Sequence, residues 1–331
     1  MSSDAWWKQL AIVVPSSPVQ SNPSTEHIRA LLTSLSVLPA LLKTEKIIHF
    51  DGIHPAMPVD RRHRYVEHKR RVQAFCSQAA VQARLAGPPQ SGPDRSNQTH
   101  EKMTSLELAA FAHTTVLEGS HFLFAGHNTA AAVLQVQTPF MLIMQHDFLL
   151  VRPFDGKRLL ETMTSNPLIK HVRLNLRPNV ARGFDTVVQN YSGPSLVPLA
   201  RTCGWADAPH VTSRQYYLSF VIPLLMHDHD GGKRKYVEES VHYRMLRHGN
   251  PGGCWEFKNE IAKGNVAAKW PEAFDDYGTY LYGFASAQDG HYTVHRSLRG
   301  NAPRWSVEDA PRQLRAPKRG AYKLRKSRTR R

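Results

Sequence analysis

Residues 141–154 read MLIMQHDFLLVRPF, an apolar run interrupted by Gln145, His146 and Asp147, after which hydrophobic residues resume at once. A carboxylate where a buried strand leaves a sheet can hold a divalent cation against a diphosphate, because hard cations take oxygen ligands and keep several waters. Asp147 is so placed, and His146 beside it either covers the diphosphate or fills the bend. A second acid, Asp51, ends the run KIIHFDG. It can accept hydrogen bonds from a base or a ribose, or simply stand in a solvated Asp-Gly turn. Glu238 and Glu239 are adjacent acids in YVEESVHYRML. Two buried neighbours of this kind repel, so one faces a pocket with a raised pKa while the other is solvated or paired. The alternative is a first-turn pair stabilised by the helix dipole. HDHDGGKRKY (227–236) gathers two histidines with Asp228 and Asp230, but alternate side chains of an extended segment diverge, so a flexible loop rather than a metal site is expected.

These groups need elements to hold them. LAIVVP (10–15) reads as a buried strand, followed by a helix in SNPSTEHIRALLTSLSVL with Asn22 as its cap and Pro23 in its first position. KIIHFDG (46–52) is a second strand, and residues 60–86 form a long basic helix with Tyr65, Val72, Phe75 and Ala79 at three- and four-residue spacing. GPPQSGPDRSNQTHEK (87–102) is a flexible surface loop. Residues 121–137 read as a strand fragment and a small-residue helix, TPFMLIMQHDFLLV as one strand, and SRQYYLSFVIPLL (213–225) as another, with Tyr216 and Tyr217 stacking on a ligand or packing in the core. Trp255 and Glu256 carry the same pair of readings. Alternating strands and helices argue for an open α/β sheet, whose ligands bind beyond the carboxyl ends of the strands.

Composition excludes several classes. With 331 residues and 41% hydrophobic side chains the chain can bury a sizeable core. No window approaches the ~18 apolar residues of a membrane helix, and the short burst at Leu10–Val14 is a strand rather than a signal peptide. The sequons at Asn97 and Asn190 then carry no glycan. Cys76, Cys203 and Cys254 are too few for a disulfide framework; free, mostly buried thiols and a cytoplasmic protein are expected. VPSSPVQSNP after the first strand has no glycine, which excludes a dinucleotide fingerprint, and no Walker A sequence occurs. Of the net charge of +16, ten lysines and arginines fall in residues 311–331 without an acid, leaving +6 for the body. That segment reads as a disordered tail with nonspecific attraction to polyanions, or as a localisation signal.

The order of LAIVVPSSP, IIHFDG, GHNTAAAVLQVQTPFMLIMQHDF and YVEESVHYRML resembles the nucleotide-sugar-binding core of GT-A-fold glycosyltransferases, especially the family 2 group, over about residues 9–295. The resemblance implies an open mixed sheet flanked by helices in one large domain, 1–310. Its nucleotide-binding half would span about 9–155 and its acceptor half about 156–310, with the basic tail 311–331 beyond. It implies transfer of a sugar from a nucleoside-diphosphate sugar to a hydroxyl of a glycan, protein or small-molecule acceptor, assisted by Mn or Mg. By carry-over Pro15, Ser16 and Ser17 line the nucleotide, and Asp51 contacts base or ribose. Asn128 stands at the start of the helix before the metal strand, with His146 at the diphosphate. Gln145-His146-Asp147 stands where the family has D-x-D and keeps only the last acid. A C-terminal histidine, His295 in preference to His291, is therefore the implied second metal ligand. Glu238-Glu239 stands for the acidic pair that brings the general base, which removes the acceptor proton as the new bond forms.

A second reading is a noncatalytic basic protein that binds nucleic acid through the tail and the DRRHRYVEHKRR helix. Aromatic residues are not interleaved with these cations as single-strand platforms require, and no known nucleic-acid-binding motif occurs.

Overall fold

The computed structural model describes residues 5–85, 103–183, 185–227, 236–247, 254–263, 270 and 274–296. The expected loop 87–102, the acids Asp228 and Asp230, the side chain of Trp255 and the tail 311–331 lie outside the described residues.

The strands are β1 (Leu10–Ser16), β2 (Glu45–Phe50), β3 (Thr114–Glu118), β4 (Phe140–Ile143), β5 (Phe148–Leu150), β6 (His171–Arg173), β7 (Val188–Asn190), β8 (Leu199–Thr202), β9 (His210–Ser213), β10 (Thr279–Tyr282) and β11 (Thr293–His295). The helices are α1 (Glu26–Ser34), α2 (Val59–Leu85), α3 (Ser105–Phe111), α4 (Phe124–Gln135), α5 (Gly156–Ser165), α6 (Arg214–Tyr216), α7 (Ile222–His227), α8 (Val237–Arg247), α9 (Cys254–Ala262) and α10 (Phe274–Tyr277). Nine strands form one mixed sheet in the order β3-β2-β1-β4-β9-β6-β10-β8-β7, and β5 pairs with β11 apart from it. This is the open mixed sheet flanked by helices that the GT-A resemblance implies.

A strand covered on both faces needs apolar side chains at every position, which is why β1 reads as a continuous run. Its residues alternate between two cores. Leu10, Ile12 and Val14 pack with α1, α2 and α5, whereas Ala11 and Val13 pack with α4, α8 and α9. Burial of each large side chain here contributes about 1.5–3 kcal/mol. From β1 the chain moves outward to β2 and β3, and α4 then returns it to the other side of β1, where β4 pairs in parallel. The carboxyl ends of β1 and β4 thus flank a point where the strand order reverses.

Several elements differ from expectation. The first helix starts at Glu26 rather than at Pro23, because the Asn22 side chain instead accepts from Val19 N and closes a turn. The strand fragment expected at 121 lies earlier, as β3. The run 140–151 is two strands in two sheets: β4 stops at Ile143, the Gln145–Asp147 turn follows, and β5 leaves to join β11. Residues 214–227, expected to be a strand, are helical, with a π-helical stretch at Tyr217–Val221 between α6 and α7. Ser213 caps this segment by accepting from Tyr216 N, and the wide π turn precedes Pro223, whose ring would otherwise clash with the carbonyl one turn back. Tyr216 and Tyr217 are core residues there, hydrogen-bonded to Trp205 Nε1 and His210 Nε2.

The expectation of free thiols holds for Cys76 alone: Cys203, just past β8, and Cys254, at the head of α9, form a disulfide. Fifty-one residues separate them in sequence, so only the fold brings them together. Such bridges persist in oxidising compartments, which withdraws the ground for a cytoplasmic expectation. No helix among the described residues is long and apolar enough to cross a membrane. Closing a loop of this length is worth about 4 kcal/mol by chain entropy. Denatured protein is therefore expected to take up one alkylating label unreduced and three once reduced, and the double serine variant to lose stability of that order. Three labels without reduction would contradict the bridge.

Candidate functional site

Pro15, Ser16, Ser17, Asp51, Asn128, His146 and Asp147 gather at the carboxyl ends of β1, β2 and β4. Here the Ser16 carbonyl accepts from Asp51 N (2.8 Å) and from Asn128 Nδ2 (3.3 Å). Asn128 also donates to the His49 carbonyl at 3.1 Å, and its Oδ1 lies 2.6 Å from His49 Nδ1. With 0% exposure, its amide is fully used in tying α4 to β1 and β2. The Asp51 carboxylate accepts from Leu123 N (2.7 Å) and Phe124 N (3.1 Å), anchoring the start of α4 to the end of β2. Gly52 is required beside it, because a Cβ there would lie 2.1 Å from the His121 carbonyl carbon.

Pro15 and Ser16 are buried in this frame, and the chain reaches open space at Ser17. Ser17, Pro18 and Asp51 line a cleft of about 440 Å³ together with His54, Arg61, Phe122, Phe124 and Tyr236. Its rings form a contact series, His54 to Phe122 (4.8 Å), Phe122 to Phe124 (6.2 Å) and Phe124 to Tyr236 (5.0 Å). Mostly apolar walls with a few convergent polar groups are what small-molecule sites present.

The Gln145–Asp147 turn sends its three side chains to three places. Gln145 lines a second cleft of about 290 Å³, which meets the first at Tyr236. His146 packs edge-on against His27. Burial lowers the pKa of His146 and takes His27 and the neighbouring His68 down to about 4, so this cluster is neutral near pH 7. Asp147 Oδ2 lies 2.8 Å from His295 Nε2. The β5–β11 pairing makes that contact by setting His295 opposite Phe148, and Arg296 N donates to the Asp147 carbonyl (2.6 Å). Their hydrogen bond raises the His295 pKa and, against the cost of burial, lowers that of Asp147. His291 stands ahead of β11 in a left-handed conformation, φ 54°.

Acids line the second cleft: Asp207, Glu238 and Glu239, with Gln145, Tyr236, His242 and Tyr243. The two glutamates occupy different surroundings. Glu239 Oε2 accepts from Tyr236 N (3.3 Å) and so holds the start of α8, whereas Glu238 Oε2 accepts from Asp207 N (3.4 Å). One turn on, His242 Nδ1 accepts from Trp205 N (3.3 Å), so Glu238 and His242 lace the β8–β9 loop to one face of α8. Burial and the neighbouring Glu238 charge push the Asp207 carboxyl up to about 8, and burial raises Glu238. Asp207 was not singled out in the sequence. It is the single acid in GWADAPH, flanked by alanines, and only its position before β9 and opposite α8 marks it. Tyr236, Phe122, Phe124 and His54 carry no pattern of their own in the sequence, and Arg61 is legible there only as one cation of the basic helix.

No protein-family model matches the chain, and no curated protein sequence does. Among solved structures it is similar to S. aureus TarS 1-349 in complex with UDP-GlcNAc, at 12% identity over 63% of this chain and 46% of that one, TM-score 0.30. The same protein in complex with UDP matches at 11% identity over 86% and 59%, TM-score 0.31. An apo UDP-glucose pyrophosphorylase matches at 10% identity over 83% and 90%, TM-score 0.40. The chain spans 29% to 59% of the length of the TarS chains it matches. These neighbours are nucleotide-sugar proteins by their own descriptions.

The half-buried pair of carboxyls, Asp207 and Glu238, sets a pH dependence. The folded state keeps a proton on Asp207 up to about 8, whereas the unfolded chain releases it near its ordinary value of about 3.9. The folded state therefore binds more protons across that window, and stability falls as pH rises through it. Asp207→Asn removes this proton, so its melting temperature is expected to fall less than that of the wild type between pH 4 and 8. Parallel melting curves for the two proteins would contradict the assignment.

Proposed function

We propose that the protein is a glycosyltransferase that moves a sugar from a nucleoside-diphosphate sugar to an acceptor hydroxyl. The observation that carries this reading is the pair of joined clefts at the point where strand order reverses, one lined by rings and Arg61, the other by carboxylates. Ligands of open α/β sheets bind at such points. In this reading the ring-lined cleft takes the nucleoside, with Ser17 and Asp51 at its polar wall, and the acid-lined cleft takes the sugar and the acceptor.

Asp147 and His295 are the side chains that would hold a divalent cation, Mn or Mg. Asp147 Oδ1 is buried with no hydrogen-bond partner, and an oxygen of that kind beside an imidazole suits a cation. Among the described residues no three such side chains converge, so diphosphate oxygens and waters would complete the shell. When bound, the cation would neutralise the diphosphate leaving group.

The remaining work falls to the chain's own side chains. Glu238, on the wall of the transfer cleft with a raised pKa, is the group to accept the acceptor proton; Glu239 holds the start of α8. The nucleic-acid alternative draws little support from α2, where Arg64 pairs with Asp60, Lys69 with Glu118, and Arg70 and Arg71 with Glu67.

UDP or GDP with Mn is expected to raise the melting temperature, since a ligand seen only by the native state stabilises it. Asp147→Ala should abolish the metal-dependent part and leave the fold intact; unchanged affinity with Mn present would remove the cation from Asp147. Glu238→Gln is expected to lower transfer by roughly 10²- to 10⁴-fold at unchanged donor affinity. Glu239→Gln should cost about 0.3–1 kcal/mol of stability and little rate. The reverse ranking of the two variants would exchange their roles.

A further inference from the structure

We propose that Asp207 is a positioning residue for transfer: protonated, it donates a hydrogen bond to Glu238, aims the Glu238 carboxylate into the cleft and keeps the pair at a single negative charge. The inference rests on the transferase reading and adds to it a partner for the base that lies outside the Glu238-Glu239 segment.

Geometry comes first. Asp207 and Glu238 line the same cleft from different elements, the β8–β9 loop and the first turn of α8. The Asp207 N to Glu238 Oε2 contact of 3.4 Å brings the two acids together, and the loop has little freedom to separate them. Trp205, 0% exposed, anchors it through His242, and the Cys203–Cys254 bridge ties its start to α9. Two desolvated carboxylates held together cannot both be ionised cheaply, so one keeps its proton and hydrogen-bonds the other. Among the described residues, the charged or titratable groups around the pair are Glu239, His242 and Tyr243 on α8, Tyr236 before it, Tyr217 from the π-helical stretch, Arg173 from β6 and Asp147 from the β4 turn. Arg173 is engaged by Asp185, and burial holds His242 neutral near pH 7. Neither takes over the proton. The hydrogen bond to Asp207 lowers the Glu238 pKa while burial raises it, so the proton resides on Asp207.

In the transfer step the acceptor O–H proton goes to the Glu238 carboxylate as the acceptor oxygen bonds to the anomeric carbon. The bond from that carbon to the diphosphate oxygen breaks, and its electron pair leaves on the diphosphate. Asp207 keeps its proton throughout. Above pH 8 that proton is lost, Glu238 keeps only the weaker bond from the Asp207 backbone N–H beside a second negative charge, and the rate falls.

The test is the pH profile of kcat for wild type, Asp207→Asn and Asp207→Ala, each first shown to melt cooperatively. The Asn amide donates the same hydrogen bond and cannot ionise. That variant is expected to stay within tenfold of wild type at pH 7 and to lose the fall in rate above pH 8, whereas Ala should lose kcat by more than tenfold with KM little changed. A fall above pH 8 that persists in Asp207→Asn, or a rate loss beyond a hundredfold on that change, would overturn the proposal; the second result would make Asp207 itself the proton acceptor. Carboxyl carbon NMR of aspartate-labelled protein reads the pairing without turnover. One aspartate titrating near pH 8, absent from Asp207→Asn, is expected, and its absence from the wild type overturns the pairing. That titration in a protein transferring no sugar from any nucleotide sugar would overturn the transferase reading and the role in transfer, and leave the pairing standing.

Discussion

β1 and β4 lie side by side in parallel, yet the chain leaves them in opposite directions along the sheet. After β1 it passes by α1 to β2 on one side, whereas after β4 it passes by β5 and α5 to β6 on the other. The carboxyl ends of the two strands therefore flank an opening at the point where the strand order reverses. The rest of the site depends on that opening. Ser17 and the Gln145–Asp147 turn are its two lips, Asp51 lies at the neighbouring strand end, and α8 with the β8–β9 loop closes it from the second core. Burial of β1 on both faces holds the opening in register, since a slip by one residue would reverse both cores.

Electrostatics then divide the opening into two unlike spaces. The Asp51 carboxylate accepts from two backbone amides at the start of α4, and the histidines beneath the turn are held neutral by burial, so among the described residues lining the ring-lined cleft Arg61 supplies a cation and Asp51 an engaged carboxylate. Across Tyr236 the surroundings are acidic, and burial raises the cost of each negative charge there. A site that separates a place for a planar base from a place for proton transfer suits a substrate with a nucleotide at one end and a reacting sugar at the other.

Much of this was legible in the sequence where local and tertiary signals agree. β1, β2 and α2 follow from continuous apolar runs and from Tyr65, Val72, Phe75 and Ala79 on one helical face. The Gln145–Asp147 interruption marked the strand end, although not that the chain changes sheets there. Residues 214–227 were misread because YYLSFVIPLL is rich in strand-forming side chains, while the cap at Ser213 and burial against the second core decide for helix. The Cys203–Cys254 bridge and the Asp207–Glu238 contact join segments 51 and 31 residues apart. Neither has a local pattern to find. Asn128 was legible as special, but its buried amide serves the frame.

Transfer as proposed requires one ligand to span the two clefts at the reversal of strand order. Amide NMR on addition of a nucleoside diphosphate with Mg reads this directly, residue by residue. Shifts are expected to cluster at Ser17, Asp51, Phe122–Phe124 and Gln145–Asp147, with no comparable change along residues 60–71. Shifts confined to that basic helix, or to Lys8, Lys43 and Arg84 at the opposite ends of the strands, would contradict it.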